Sequence, residues 1–256
     1  MKYKLFFILP VIFFLINCSS KKSISSNGLY QVQLDTLTVY DKTRDRAIPI
    51  AFYRPKTKNK ISHQKIIIFN HGYGANNGGD YLKYSYLTNY LASKGYFVVS
   101  IQHELPTDQL IPIKGNLHVV RMPFWARGSE NILFVLNELK RTKPHLDYTH
   151  LILIGHSNGG DMVALFANKH PELVHKIITL DNRRMSLPRT FVPKVYTLRS
   201  NDYPADEGVL PTAEEQKRYN ITVQNTNINH GSMDNKGNEE ERKVLNNFIE
   251  KYLKEN

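Results

Sequence analysis

Apolar and polar residues alternate between Gln31 and Tyr40, where Val32, Leu34, Leu37 and Val39 stand among polar neighbours, and Ala47 to Tyr53 follows as a second extended stretch. Apolar residues set among polar neighbours in this way mark extended strands, so these segments predict an antiparallel hairpin at a sheet edge. The pattern then changes to unbroken apolar runs: Ile66 to Phe69, Phe97 to Val99, Leu151 to Ile154, Ile177 to Leu180 and Val195 to Leu198. Runs of this kind suit strands covered on both faces, as in a largely parallel sheet. Ile221 to Ile228 reads as one more strand. Between the runs, Tyr81 to Ser93, Ser129 to Lys140 and Met162 to Asn168 read as helices. A last helix, Glu239 to Leu253, sets Val244, Leu245, Phe248, Ile249 and Tyr252 in one apolar stripe. Strands and helices alternate, which predicts an α/β fold with a mostly parallel central sheet and helices on both faces. The longest stretch with little regular signal, His103 to Arg127, is expected to form a short cap or rim over the carboxyl edge of the sheet, where ligands bind in such folds.

Composition adds a compartment to this picture. Of the 256 residues, 41% are hydrophobic and 22% charged, which suits one packed domain and excludes a disordered or multi-span membrane chain. The first residues stand apart: Lys2 and Lys4 precede the uncharged stretch Leu5 to Ile16, which has the form of a signal-peptide core and is short for a membrane span. Cys18, the one cysteine, follows directly in Leu15-Ile16-Asn17-Cys18 and precedes a polar, Ser-rich stretch. That arrangement resembles the cleavage and acylation box of bacterial lipoproteins. It implies a signal peptide over 1–17, a lipidated Cys18 with a flexible tether over 18–29, and a catalytic domain over 30–256 held at a cell-envelope membrane by its lipid. A monomer is expected. One cysteine allows no internal disulfide and no cysteine-based zinc site. The formal net charge of +11 falls by two when residues 1–17 are removed, and the basic residues are scattered rather than clustered. This fits a Lys-rich surface, and no nucleic-acid-binding pattern accompanies it.

Candidate chemistry gathers at the ends of the apolar runs. Ser157 lies in Gly155-His156-Ser157-Asn158-Gly159, between a buried strand and a helix, with Gly160 following. A G-x-S-x-G pattern fixes only three positions and is weak alone. In strand-turn-helix context it is a nucleophile elbow, whose glycines let the backbone turn sharply and hold the serine above the sheet. His71-Gly72-Tyr73-Gly74 follows the Ile66 to Phe69 strand in the same way. Three histidines come after Ser157; His170 falls at a helix end and His175 at a strand start, which leaves His230, on the loop before the last helix, as the candidate base. His103-Glu104 stands at a strand end but H-E-x-x-H is absent, so zinc has little support. No glycine-rich phosphate loop is present either.

The two motifs, in this order and behind these strands, resemble the α/β-hydrolase superfamily over nearly all of 30–253, and within it most nearly the dienelactone-hydrolase and acetylhydrolase-like branch. The resemblance implies a serine hydrolase with Ser157 as nucleophile and His230 as base. It implies an oxyanion hole formed by the backbone N–H groups of Tyr73 and Asn158, and no metal or organic cofactor. For the acid, Asp202, on the loop after Val195 to Leu198, ranks first, Asp206 second, and Asp181, at the end of the Ile177 to Leu180 strand, third. His71, His103, His156 and Trp125 are expected to line the pocket, with Phe124 beside Trp125. Arg183 and Arg184 could meet an acidic substrate group, although solvated arginines are the commoner case. A serine nucleophile excludes the cysteine-dependent chemistry of true dienelactone hydrolases. The expected substrate is a small carboxylic ester; an exported peptidase or a catalytically silent binding lipoprotein are the alternatives.

Overall fold

The computed structural model describes residues 30–59 and 61–255. The signal segment, Cys18 and the tether lie outside the described residues. Eight strands form one sheet: β1 Val32–Asp41, β2 Arg46–Pro55, β3 Lys65–Asn70, β4 Phe97–Ile101, β5 Asp147–His156, β6 Lys176–Leu180, β7 Lys194–Arg199 and β8 Thr222–Asn225, in the spatial order β1-β2-β4-β3-β5-β6-β7-β8. As the alternation predicts, β1 and β2 are an antiparallel hairpin at one edge, with Leu37 opposite Ile50, and β2 joins β4 antiparallel. The remaining six strands run parallel.

The parallel strands β3 to β7 feed both faces of the sheet. Ile66 and Ile68 point into one core with Trp125, Ile132 and Leu136 of α2 (Leu117–Thr142) and Val163 and Phe166 of α3 (Asn158–Lys169). Ile67 and Phe69 point into the other, with Leu87 and Leu91 of α1 (Ser85–Ser93) and Leu245 and Ile249 of α5 (Glu239–Lys254). Covering such a side chain is worth about 1.5–3 kcal/mol, so the unbroken apolar runs require helices on both sides of the sheet. α4 (Ala213–Tyr219) is small and lies near β8 in sequence.

Three elements differ most from the sequence reading. α2 begins at Leu117 and runs through Pro123, so the irregular stretch ends at Asn116, whose side chain caps the helix by accepting from the Val119 amide. Pro123 is exposed, and its lack of an N–H removes one hydrogen bond from a turn facing water. α4 is unexpected because it buries no residue and leaves no apolar stripe. The strand read over Ile221 to Ile228 is only Thr222–Asn225.

The fold places its site by topology. Strand order reverses at β3, whose neighbours are β4 and β5, so the chain leaving β3 and the chain leaving β5 diverge around a crevice at the carboxyl edge. His71-Gly72-Tyr73-Gly74 follows β3 and Ser157 follows β5. Among the described residues, no helix is long and apolar enough to cross a membrane.

Candidate active site

Ser157 links β5 to α3 with φ 51° and ψ −119°, a left-handed backbone that a non-glycine residue adopts only at a cost. The surrounding packing enforces it. The Ser157 amide donates to Leu180 O on the neighbouring strand at 2.8 Å. A Cβ on Gly159 would overlap the carbonyl oxygens of Asn70 and His71, and one on Gly155 would overlap the Gly159 carbonyl. The glycines thus allow α3 to press its first turn against the end of β3, leaving Ser157 partly exposed above the sheet.

His230 belongs to a single 3-10 turn ahead of α5, and its Nε2 lies 2.9 Å from Ser157 Oγ. Its Nδ1 lies 2.5 Å from Asp181 Oδ2. Asp181, directly after β6 and itself in the left-handed region at φ 54°, is fully buried. Its carboxylate also meets Arg199 Nη2 at 2.8 Å and accepts from the Ser200 amide at 3.0 Å and the Ser200 hydroxyl at 2.8 Å. Burial alone would raise the Asp181 pKa. The bond to His230, the Arg199 charge and the Ser200 donors outweigh it and hold the group below its ordinary value, as a carboxylate.

This arrangement reorders the three acids. Asp202, ranked first from sequence, is exposed, and its Oδ1 accepts from the backbone amide of His230 at 2.7 Å. It fastens the loop and does not touch the imidazole ring. Asp206 is exposed, and its nearest cation is Arg184, with Nε 4.0 Å away. Position after a particular strand does not determine which carboxylate faces a ring contributed from 49 residues downstream.

Tyr73 and Asn158 lie at the ends of the two motif segments, and among the described residues neither amide donates to an acceptor. Asn158 opens α3, where the helix dipole adds partial positive charge. The neighbouring Gly72 amide is committed to Tyr84 Oη at 3.0 Å, and that hydroxyl lies 2.7 Å from His156 Nδ1. Tyr84 was not legible as a site residue, since nothing in its helical pattern sets it apart. It ties the glycine loop to the strand that carries the nucleophile. The His156 ring packs against His230 with centroids 4.7 Å apart. Burial, followed by the charge of His230, drives the His156 pKa down to about 3, so it remains neutral.

Three of the four expected pocket residues lie beneath the site rather than on its wall. His71 is fully buried and its Nε2 accepts from the His103 amide at 3.0 Å. His103 is also buried, with Nε2 2.9 Å from Asn70 Oδ1. Trp125 is buried in the α2 core, and its Nε1 donates to Asn158 Oδ1 at 2.8 Å, while Asn158 Nδ2 donates to Glu104 Oε1 at 2.9 Å. Trp125 and Glu104 therefore clamp the side chain of the residue after the nucleophile. Burial raises the Glu104 pKa to about 8 and keeps it protonated near neutrality. Asp161 was also missed: from within α3 its Oδ1 accepts from the amides of Arg183, Arg184 and Met185, shaping the chain after Asp181. A buried acid in the first turn of the helix after the elbow was its one sequence signal.

Among the described residues, no group of three or more His, Cys, Asp or Glu side chains is placed to hold a metal ion. Two surface clefts elsewhere, one beside Arg54, Phe97 and Lys143 and one beside Thr226, Val244 and Phe248, contain no comparable pairing of nucleophile and base.

Comparison with known proteins agrees with the architecture. Residues 65–246 match the family model of the alpha/beta hydrolase fold. Among solved structures, an esterase from the fungus Rhizomucor miehei is similar at 17% identity, with 87% of this chain and 82% of that chain covered and a TM-score of 0.63. A thermostable esterase from Pseudomonas putida is similar at 14% identity, over 86% of this chain and 82% of that one, with a TM-score of 0.60. A bacterial brefeldin A esterase is similar at 12% identity over 87% of this chain and 77% of that one, with a TM-score of 0.56. At such identities the likeness is one of fold, and no curated protein matches the sequence. The family match covers well over half of the residues, and the chain belongs to the alpha/beta hydrolase fold family.

Proposed function

We propose that the protein hydrolyses carboxylic esters through an acyl-enzyme on Ser157. The observation that carries this reading is the continuous series Ser157 Oγ, His230 Nε2, His230 Nδ1, Asp181 Oδ2, with separations of 2.9 and 2.5 Å at its two contacts. In the first half-reaction Ser157 Oγ attacks the ester carbonyl carbon and its proton passes to His230 Nε2. The carbon–oxygen bond to the alcohol breaks, and the alcohol leaves with that proton. Water then attacks the acyl carbon, gives a proton to Nε2, and releases the acid as Ser157 regains its hydrogen. Asp181 fixes the ring with Nδ1 protonated and stabilises the imidazolium formed in each half-reaction. The Tyr73 and Asn158 amides receive the oxyanion, and losing one such donor elsewhere costs about 3–4 kcal/mol of transition-state stabilisation.

Esters are favoured over peptides because the solved structures that resemble the chain include several described as esterases. The same reading includes lipidation at Cys18 and attachment to a cell-envelope membrane, based on the Leu15 to Cys18 sequence alone. The test combines a fluorophosphonate probe with p-nitrophenyl acyl esters of increasing length and a peptide library. Labelling and ester turnover that both vanish in Ser157→Ala are expected. Peptide cleavage without ester turnover would replace the esterase reading with a peptidase, and no labelling of the wild type would leave a binding protein.

A further inference from the structure

Arg121, Arg183 and Arg184 lie on segments that flank His230 and the glycine loop, and few carboxylates pair with them. Arg183 follows the loop after Asp181. Its guanidinium lies over the ring of Tyr203, Cζ to centroid 4.4 Å, and that ring packs against His230 at 5.2 Å. Its Nε donates to Pro204 O at 3.3 Å. Arg121, in the first turns of α2, donates from Nε to Pro112 O at 2.8 Å. Tyr73, of the glycine loop, accepts from the Ile111 amide in the same rim segment at 3.2 Å. The Arg184 carbonyl lies 3.2 Å from His118 Nδ1, and the His118 ring packs against Trp125, the residue bonded to Asn158. All three arginines are half-buried. Burial lowers the Arg121 pKa; the charge of Arg184 reinforces the effect, that of Asp161 opposes it, and that of Arg183 adds to the lowering.

Most arginines elsewhere in the fold meet carboxylates, among them Arg44 with Asp41, Arg46 and Arg127 with Asp108, Arg189 with Glu215, and Arg199 with Asp181, while among the described residues Arg218 and Arg242 do not. Among the described residues, Arg121 and Arg183 have no carboxylate within 4.0 Å, and Arg184 has only the exposed Asp206 at that limit. The other acids nearby are committed. Asp161 Oδ1 is taken by three backbone amides, Asp181 by His230, Arg199 and Ser200, and Asp202 Oδ1 by the His230 amide. With only Asp161 and the exposed Asp206 to offset them, three like charges held together favour an anion from outside, and the planar arginine fork matches a carboxylate.

We infer that the preferred substrate is an ester whose alcohol part carries a carboxylate, bound by Arg183 and Arg121 with Arg184 adding to the field. The alcohol side is assigned because the leaving oxygen takes its proton from His230 Nε2, and Arg183 is one aromatic ring away from that imidazole. This rests on the ester-hydrolase reading and narrows its substrate class.

The experiment compares meta-acetoxybenzoate with its neutral methyl ester, each kcat/KM divided by the rate of that ester's alkaline hydrolysis. The readout is the charged-to-neutral ratio within one variant, so partial misfolding, which lowers both rates, does not move it. The wild type should favour the charged ester about tenfold or more, in keeping with hydrogen bonds between charged partners, and the ratio should fall with added salt. Arg183→Gln and Arg121→Gln should each bring the ratio towards one, while Arg218→Gln, on the exposed face of α4, should leave it in place. A wild-type ratio of one or less, with Ser157 still labelled by fluorophosphonate, overturns the inference and leaves the hydrolase reading standing. So does a preference equally retained in Arg183→Gln and Arg121→Gln, which assigns it to overall charge, or one seen only for a charged acyl chain, as between p-nitrophenyl hydrogen adipate and p-nitrophenyl hexanoate. Absence of labelling at Ser157 removes the hydrolase reading and this inference with it.

Discussion

At the scale of single residues, the acid provides the sharpest contrast. Asp181 and Asp202 both bond to His230, one to the ring and one to the backbone amide. Asp181→Asn should lower kcat by about a thousandfold or more by favouring the wrong tautomer, whereas Asp202→Asn should cost only a few-fold, as measured by steady-state turnover on folded protein. Asp181→Asn should also lower stability, because it leaves the buried Arg199 without its counter-ion. Glu104 leads to a pH prediction of opposite sign to that of an ordinary paired acid. Its pKa is raised from 4.5 to about 8, so between those values the folded chain holds a proton that the unfolded chain has released. Wild-type stability should therefore fall as pH rises through that window. Glu104→Gln keeps the acceptor for Asn158 Nδ2, and its melting temperature should be flatter with pH, which thermal unfolding at a series of pH values reads directly. Asp181 contributes in the other direction: its lowered pKa stabilises the fold above the unfolded-state value, and that contribution disappears as acid protonates it. Ser157 and His230 were legible because one carries a glycine signature and the other is the one late histidine on a loop. The acid was not, because two aspartates bond to His230 and only burial and side-chain direction separate them.

At the scale of elements, legibility follows burial. The parallel strands, β2 and α5 announce themselves because their apolar side chains must be covered, whereas β1 at the sheet edge leaves Leu34, Leu37 and Tyr40 exposed. α4 buries nothing, and its one sequence mark is the capping box Thr212 to Glu215, in which the Thr212 hydroxyl accepts from the Glu215 amide and the Glu215 carboxylate accepts in return. Thr212→Ala should cost about 1 kcal/mol in denaturant unfolding and leave turnover unchanged, because α4 reaches none of the three site residues. The start of α2 was hidden by Pro123 and Gly128, which read as breakers. In the fold, Pro123 faces water and Gly128 lets Met162 of α3 approach closely. The junction of α3 with β3 tolerates no such latitude. In Gly159→Ala the added carbon would have to displace the backbone carbonyls of Asn70 and His71, moving the His71–Gly74 loop and the elbow apart. A loss of about 3 kcal/mol or more, or failure to fold, is expected in a melting experiment, a size reserved for few kinds of substitution.

At the scale of the molecule, the question is how a site assembled from three distant segments keeps its geometry when its last member precedes the final helix. α5 is held to the sheet by Leu245, Ile249, Tyr252 and Leu253, with Tyr252 stacked on Tyr196 of β7 at 4.5 Å. Lys176, at the start of β6, donates to the carbonyls of Tyr252 and Glu255 and anchors the end of that helix. Besides the Asp202 contact to the His230 amide, the loop from His230 to Asn238 has fastenings at and just before the start of α1. The Asn235 amide donates to Lys83 O at 2.8 Å, the Tyr86 amide donates to Asn235 Oδ1 at 3.2 Å, and the Tyr86 hydroxyl donates to Met233 O at 3.0 Å. Global stability and placement of the base should therefore separate. Ile249→Ala removes core volume and should cost about 2–5 kcal/mol, lowering the melting temperature, while kcat at a temperature well below melting stays near the wild-type value. Tyr86→Phe keeps the apolar ring and loses only the bond to Met233, so its melting point should change little while kcat falls several-fold as His230 drifts from Ser157. If kcat instead tracked melting temperature across both variants, the loop would have no positioning role of its own, and the last helix alone would hold the imidazole in place.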